Sequence, residues 1–297
     1  MAVPEKAKLF APVLVTDLIN EVKGKSSLAV LSAQTPIPFN GQKEFIFTMD
    51  SEIDIVAENG KKTNGGITLE PVTIVPIKFE YGARVSNEFM WATEEAKIDI
   101  IKAFNDGFAA KVAKGLDIAA MHGLNPRTKT ASAVIGTNNF DSKVTQSVIY
   151  DSAKPDEAID SAISLVEGSE NEVTGIVISS DVRSDLSNMK NTDGTRTYPE
   201  FKFGGKPSTL GSQQLEVNNT VTFNSPTNKS KVYVGDFANM FKWGYSKEIT
   251  LRVIEYGDPD NSGKDLQGYN QVYLRAEIFL GWGILDAKSF ATVKSAS

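Results

Sequence analysis

The chain has 297 residues, of which 41% are apolar and 23% charged, the composition of an ordinary soluble globular protein. It contains no cysteine, which excludes disulfides, thiolate zinc sites and iron–sulfur clusters. The net charge of −6 and the lack of any arginine-rich or lysine-rich tract argue against a protein that reads DNA sequence.

Two further features narrow the function classes. The single histidine, His122, would have to serve any histidine-based triad or metal site, but its place at the end of a predicted helix favours an interaction with the helix dipole. No apolar run approaches the roughly 20 residues that cross a bilayer, and the N-terminus lacks the features of a secretory signal. We therefore expect a soluble protein, made in a cytoplasm, with no membrane partner.

The first 86 residues predict an arm followed by a long hairpin. Residues 1–38 hold four prolines and one short amphipathic patch, so we expect an extended arm that lies on another surface. In residues 39–86, alternating apolar side chains at 45–55 and 77–85 flank the turn-rich stretch AENGKKTNGG, which predicts a β-hairpin. Two strands alone are marginal in water. The hairpin therefore packs either in the chain's own core or on a neighbouring subunit, and the pattern leaves both open.

A long helix and a small mixed unit follow the hairpin. From Thr93 to His122, apolar residues recur at spacings of three and four, which predicts one amphipathic helix that Thr93 caps and Gly123 ends. Residues 155–168 predict a second helix, TGIVIS a buried strand, and SDVRSDLSNMK a third helix capped by Ser180. Helices that cover a buried strand indicate a small mixed domain.

A strand-to-helix junction is a place where many enzymes carry a nucleophile, which makes Ser179, Ser180 and Asp181 candidate catalytic residues. The nucleophile elbow requires a G-x-S-x-G arrangement, which ISSDVRS lacks. Helix capping is therefore the favoured role of these side chains.

The last part of the chain predicts a second long hairpin. Its strands are the alternating segments 249–253 and 272–280, joined by a polar loop. In that loop Asp258 and Asp260 mimic the start of a calcium-binding pattern, but Tyr269 stands at the twelfth position, where a bidentate acid is required. A turn-rich loop is favoured, and we expect no metal and no cofactor.

These parts leave strand edges and apolar surface that other copies would have to cover. Their order resembles the major capsid protein family of tailed bacteriophages, whose fold also builds encapsulin nanocompartments and the floor of herpesvirus shells. GLDIAAMHG is similar to the end of the family's spine helix, GIVISSDVRSDLSNMKNTDGTRTY to its strand, helix and glycine turn, and KPSTLGSQQLEV to its small-residue loop before a strand.

The resemblance implies an α+β protein with the phage major capsid fold. The implied parts are an N-terminal arm (1–38), an extended β-hairpin loop (39–86), a peripheral domain with a long spine helix (87–150), an axial α/β domain (151–245), a peripheral-domain β-hairpin (246–283) and a C-terminal segment that returns to the axial domain (284–297).

One segment raises a question of chemistry that the resemblance answers. VYVGDFANMFKWGY resembles the part of the family in which a strand ends in Gly-Asp-Phe and a short turn leads to the next strand. On this resemblance Gly235, Asp236 and Phe237 form a structural turn, in which Asp236 caps FANM and is not a catalytic acid. Phe241 and Trp243 would then pack the axial domain together with Phe237.

The function that the resemblance implies is structural. Copies of the chain would assemble into the hexamers and pentamers of an icosahedral shell that encloses phage double-stranded DNA and contacts it non-specifically. The protein would have no enzymatic activity, and it would reside in the virion after assembly in the bacterial host cytoplasm. Relatives often begin with a scaffolding segment, whereas this sequence starts directly with the arm, so assembly would use a separate scaffolding protein or none at all. The implied partners are a separate scaffolding protein and a portal.

The resemblance also implies two sets of intersubunit contacts. The tip of the extended loop would touch a neighbour through Asn59, Gly60, Lys61, Lys62, Thr63, Asn64, Gly65 and Gly66. The peripheral loop would do so near local three-fold axes through Asp258, Asp260 and Lys264. Some relatives cross-link a lysine of the extended loop to a neighbour's asparagine. Lys61 or Lys62 could supply the amine, but neither the asparagine nor the promoting acid can be matched here.

Two alternatives stay open at this point. An encapsulin-like nanocompartment shell would share the fold, but it usually opens with a cargo-binding helix where this chain has a proline-marked arm. A hydrolase that uses Ser179 or Asp236 is the enzyme alternative, and it has one histidine and no motif to support it.

Overall fold

The computed structural model describes residues 26–49, 51–61, 64–88, 94–224, 229–246 and 250–296. The α-helices in these ranges are α1 Ser27–Leu31, α2 Glu94–His122, α3 Phe140–Lys143, α4 Pro155–Glu167, α5 Ser180–Asn188 and α6 Phe237–Met240. The strands are β1 Gln42–Met49, β2 Ile67–Ile74, β3 Ile77–Ser86, β4 Ser147–Tyr150, β5 Gly175–Ile178, β6 Thr209–Leu210, β7 Gln213–Val217, β8 Ser230–Gly235, β9 Phe241–Tyr245, β10 Thr250–Ile254, β11 Gln271–Ile284 and β12 Phe290–Ser295. Across the described ranges, no helix is both long and apolar enough to span a membrane.

The larger sheet has the strand order β4-β12-β8-β5-β7-β6. In it β12 runs parallel to β4 and antiparallel to β8, while β5 runs parallel to β7. All four residues of β5 are buried, because the strand lies inside the sheet and both of its faces are covered. Apolar side chains of α4 and α5 pack on one face and form a buried cluster with Ile176, Ile178, Val232 and Val234.

The smaller sheet is built on the 14-residue strand β11. β3 pairs with one edge of β11, and β10 and β9 pair with successive parts of the other edge. Ala276, Ile278, Leu280, Trp282 and Ile284 belong to the same buried cluster as the apolar face of α2. The hairpin predicted near the end of the chain is therefore present as β10 and β11.

The projecting hairpin differs from the prediction in its return strand. β1 pairs with β2, in a register that sets Phe45 opposite Pro71 and Met49 opposite Ile67. Residues 77–85, predicted as the return strand, belong to β3 and pair with β11 instead. Residues 67–74 and 77–85 both alternate in polarity, so the pattern alone does not choose between them. Pro71 has no backbone N–H to donate, but a proline is tolerated in a two-stranded ladder because each strand has a free edge.

Part of segment 26–38 is buried in the chain's own core, which corrects the prediction that the whole arm as far as residue 38 lies on another surface. The apolar side chains of α1 are buried in the cluster that also holds the core-facing residues of α2 and β11. Farther along, the Thr35 N–H donates to the Trp243 carbonyl at 2.9 Å, beside β9. Residues 1–25 of the predicted arm lie outside the described residues.

Within the described residues, the helix ends agree with the predicted signals except at the start of α5. Gly123 follows α2 with a φ of 67°, a left-handed conformation that suits glycine, whereas Thr93 lies outside the described residues. The N-cap of α5 is Ser179 rather than the predicted Ser180: its hydroxyl accepts from the Val182 N–H at 3.3 Å.

Candidate functional site

The hairpin of β1 and β2 turns an apolar face away from the rest of the chain. Phe45, Met49, Ile67 and Leu69 share this face by the ladder register, and each of these side chains is more than half exposed. Hydrophobic strand faces normally point into a core, so an exposed one marks a surface that another molecule covers.

The base of the hairpin is fixed to the smaller sheet. Lys242 Nζ lies 3.0 Å from Glu44 Oε2, and both side chains are largely shielded from solvent. Ile74 is buried against β11, so close that a Cβ added at Gly283 would lie 2.7 Å from Ile74 Cγ1. The hairpin therefore projects from a rigid base.

The tip of the hairpin carries most of the predicted loop contacts. Ile53 and Ile55 lead into it with 90% and 95% of their surfaces exposed. The described residues of the predicted contact set are also exposed: Asn59, Gly60, Lys61, Asn64, Gly65 and Gly66. Lys62 and Thr63, the other two members, lie outside the described residues. The tip thus presents apolar and polar groups together to solvent.

The peripheral loop between β10 and β11 is organised around Arg84. Its guanidinium donates to Asp258 at 2.7 Å, to Asp260 at 2.5 and 2.9 Å, and to the Lys264 carbonyl at 2.9 Å. The hydrogen bond from Arg84 lowers the pKa of Asp260 well below its usual range. The Lys264 ammonium lies 5.2 Å from the ring centre of Tyr269.

This geometry explains why the calcium-like spacing is misleading. Asp258 also accepts the Ser262 and Gly263 N–H groups, so its carboxylate shapes the loop. An arginine side chain occupies the space between the two carboxylates, where a cation would have to bind. Among the described residues, no group of three or more His, Cys, Asp or Glu side chains is arranged to hold a metal ion.

Asp236 has the contacts of a helix N-cap. Its Oδ1 accepts from the Asn239 N–H at 3.2 Å and from the Thr174 hydroxyl at 3.1 Å. A Cβ added at Gly235 would lie 2.3 Å from the Ser289 carbonyl oxygen, so only glycine fits before the turn. Phe237 is fully buried behind it. Within the described residues, these contacts of Asp236 hold the turn that joins β8 to β9.

A buried carboxylate that pattern analysis missed ties three segments together. Asp117 in α2 is fully buried, and it accepts from the Ser26 hydroxyl at 2.5 Å and the Ser27 N–H at 3.0 Å, at the start of α1. It also accepts from Asn218 at 3.0 Å and Thr220 at 3.3 Å. Burial raises the pKa of Asp117 to about 6, although the hydrogen-bond donors oppose that shift.

His122 is also part of a buried polar network. Its Nδ1 lies 2.7 Å from Asp141 Oδ2 and its Nε2 lies 2.9 Å from the Thr220 carbonyl, so both ring nitrogens face oxygen acceptors. Burial would raise the pKa of Asp141, but hydrogen bonds from His122, Tyr233 and Ser230 outweigh it and lower that pKa. The helix-end prediction located His122 but not its partner.

The enzyme alternative finds no support in this geometry. Ser179 is fully buried, and its hydroxyl is used as the cap of α5. His122, the chain's one histidine, is held by Asp141 and Thr220. These contacts are typical of residues with a structural role.

The comparisons with known proteins agree with the geometry of the fold. The sequence model of the phage capsid family matches residues 8–295. No curated protein matches the chain. A solved structure described as Mycobacterium phage Ogopogo is 33% identical, with 92% of each chain covered and a TM-score of 0.78.

Two more distant structures share the fold. One, described as Gordonia phage Cozz, is 23% identical, covers 92% of this chain and 87% of its own, and has a TM-score of 0.75. The other, described as the capsid of an empty GTA particle computed with C5 symmetry, is 16% identical with a TM-score of 0.67, covering 92% of this chain and 90% of its own.

Proposed function

The chain belongs to the phage capsid family and is a phage major capsid protein, and we propose that its copies form the hexamers and pentamers of an icosahedral shell. The shell would enclose double-stranded DNA. The encapsulin alternative is not favoured, because the similar structures named above come from phages and a GTA particle.

The exposed apolar face of the β1–β2 hairpin is the observation that carries this proposal. A two-stranded hairpin is marginal in water unless a surface packs against it. Among the described residues this face, which holds Phe45, Met49, Ile67 and Leu69, is more than half exposed, so it would be left for a neighbouring copy. The tip, residues 59–66, would contact that neighbour. Contacts of this head-to-tail kind close into rings.

The peripheral loop would form the second contact between copies. Arg84 holds Asp258 and Asp260 inside a preformed loop, so the loop would meet a neighbour without a large loss of conformational entropy. Lys264 offers a charged group on the same loop. We assign Asp258, Asp260 and Lys264 to contacts near the local three-fold axes.

The division into arm, extended loop, peripheral domain, axial domain and returning C-terminal segment is part of the same proposal. The larger sheet would form the axial domain around the symmetry axis, and α2 with the smaller sheet would form the peripheral domain. The bounds then shift from those predicted, because β4 joins the larger sheet whereas β3 and β9 join the smaller one. β12 supports the returning segment, because it pairs with β4 and β8 of the larger sheet.

The protein is a structural component of the virion capsid, and further partners follow from that role. We propose a separate scaffolding protein, a portal and non-specific contact with the packaged DNA, with assembly in the bacterial host cytoplasm. The net charge of −6 suits a shell lining that must let DNA move, because a basic lining would bind phosphates strongly. The proposal includes no enzymatic role.

The test uses the full chain, size-exclusion chromatography with light scattering, and electron microscopy of the heaviest fraction. We expect rings or closed shells from the wild type, and monomers from a Phe45→Ser/Leu69→Ser variant that folds normally. Ile149→Ser is the matched control, because Ile149 is 73% exposed on β4 of the other sheet. Assembly of the double variant to the wild-type extent would refute the hairpin contact.

If the wild-type chain stays monomeric, we would infer that the first step of assembly requires the scaffolding protein. The same variants would then be compared in the presence of that protein.

A further inference from the structure

The chain contains three Asn–Gly pairs, at residues 40–41, 59–60 and 64–65. Asparagine before glycine is the dipeptide most prone to deamidation, because the glycine nitrogen attacks the side-chain amide with no Cβ in the way. We propose that Asn64, at the tip of the projecting hairpin, is a site of spontaneous deamidation in the native chain, and that Asn40 and Asn59 are protected by their turns.

In each of the two protected pairs, a backbone hydrogen bond holds the glycine N–H. The Gly41 N–H donates to the Pro38 carbonyl at 2.9 Å, and the Gly60 N–H donates to the Ala57 carbonyl at 2.8 Å. A nitrogen held in this way cannot lose its proton and turn towards the asparagine side chain until the turn opens. Opening therefore has to precede the reaction at both sites.

The third pair lacks this protection. Asn64 and Gly65 are exposed, and within the described part of the chain neither the Asn64 side chain nor the Gly65 N–H has a hydrogen-bond partner. A Cβ added at Gly65 would have one described heavy atom within 4 Å, the Ser51 hydroxyl oxygen at 3.1 Å. The Gly65 nitrogen is thus free to approach the Asn64 side chain.

The reaction consumes only water. The Gly65 nitrogen gives its proton to hydroxide and bonds to Asn64 Cγ, the Cγ–Nδ2 bond breaks, and the side-chain nitrogen leaves as ammonia after taking up a proton from water. This forms a five-membered succinimide. Water then opens the ring at either carbonyl, which gives aspartate or isoaspartate. The net change is the exchange of an amide nitrogen for a carboxylate oxygen.

The product would change the contact surface of the tip. Asn64 is neutral, whereas either product is negatively charged, and isoaspartate also lengthens the backbone by one methylene. Deamidated subunits would therefore join a shell less readily, a consequence that rests on the proposed function. An Asn64→Asp variant tests that consequence in the assembly assay, separately from the modification itself.

The modification is tested on the unassembled full-length chain. The chain is incubated at mildly alkaline pH and digested briefly with trypsin, and the deamidated fraction of each site is followed by mass spectrometry. Trypsin places the three sites in separate peptides, 26–43, 44–61 and 63–78, because lysines stand at the boundaries. The urea-denatured chain is the reference in which no turn protects any site.

We expect the three sites to react at similar rates in the denatured chain. In the native chain Asn64 should retain its denatured rate, while Asn40 and Asn59 slow by roughly fivefold or more because a backbone hydrogen bond must open first. Gly65→Ala should slow Asn64 alone. A native Asn64 that reacts as slowly as Asn59 would overturn the proposal, and so would an unchanged Asn64 rate in Gly65→Ala.

Discussion

At the scale of single residues, Asp117 is the most completely buried carboxylate among the described residues. It is fully buried within α2, and its partners come from residues 26–28 and 218–220. A carboxylate in this position costs solvation free energy, but the donors that surround it would be left without partners if it were removed. Asp117 therefore holds the start of α1 on α2.

The raised pKa of Asp117 predicts a specific pH dependence of stability. Its pKa is about 6 in the folded chain and 3.8 ordinarily, so the folded state binds the proton more tightly. The stabilisation from this group is complete below the unfolded pKa and is lost as pH rises through the folded pKa. The free energy of unfolding of the wild type, relative to Asp117→Asn, should fall by up to about 3 kcal/mol from about pH 4 to about pH 7.

Urea unfolding at a series of pH values measures this difference. Asp106→Asn is the control, because Asp106 lies on the exposed side of the same helix and its substitution should leave the pH dependence unchanged. His122 and Asp141 are present in all three chains, so their contributions cancel. A difference between wild type and Asp117→Asn that does not vary with pH would contradict the assigned environment.

Sequence reasoning had no means to find this residue. Asp117 lies beside the apolar stripe of α2, and its partners lie about 90 positions before it and about 100 after it. The same holds for His122, whose helix-end position was predicted while Asp141 was not. The spacing of apolar residues predicts the helix, but it does not predict polar contacts between residues that are far apart in the sequence.

At the scale of elements, periodicity located most of the secondary structure. The long helix, the β10–β11 hairpin, β5 and the helix that begins at Pro155 were all predicted from spacing and end signals. The β1 partner was not, because β2 and β3 both alternate and only tertiary packing decides between them. The buried part of residues 26–38 was misassigned because a short segment shows no sign of the core that buries it.

The Arg84 cluster makes a prediction at the same scale. Arg84→Gln removes the guanidinium that holds Asp258, Asp260 and the Lys264 carbonyl, so the loop between β10 and β11 should open more often. We expect trypsin to cleave after Lys264 several-fold faster than in the wild type. Arg127→Gln, which removes an exposed arginine elsewhere, is the matched control. Unchanged cleavage after Lys264 would argue against the organising role of Arg84.

At the scale of the whole molecule, Phe140 joins the two sheets. Its ring centre lies 5.0 Å from that of Phe290 in β12 and 5.6 Å from that of Tyr233 in β8, both in the larger sheet. It lies 5.5 Å from that of Phe241 in β9 of the smaller sheet. One buried ring is therefore shared by the two halves of the core.

Phe140→Ala should accordingly weaken both sheets. We expect a loss of about 3–5 kcal/mol in the free energy of unfolding, the usual cost of a large cavity in a core. Urea unfolding followed by tryptophan fluorescence and by far-ultraviolet circular dichroism should show both signals shifted. Phe203→Ala is the control, because Phe203 is 93% exposed and its loss should matter little. A shift in only one signal would mean that the sheets unfold independently.

The position of β12 in the larger sheet has a consequence for protein synthesis. β12 lies between β4 and β8, yet the ribosome makes it about 140 residues after β4, since the pairing joins residues 292–295 to 147–150. Until residue 295 has emerged, the edge of β8 is open and, among the described strands, β4 has no partner. A nascent chain therefore cannot complete this sheet until β12 has been made, and a subunit becomes ready for the shell only after that.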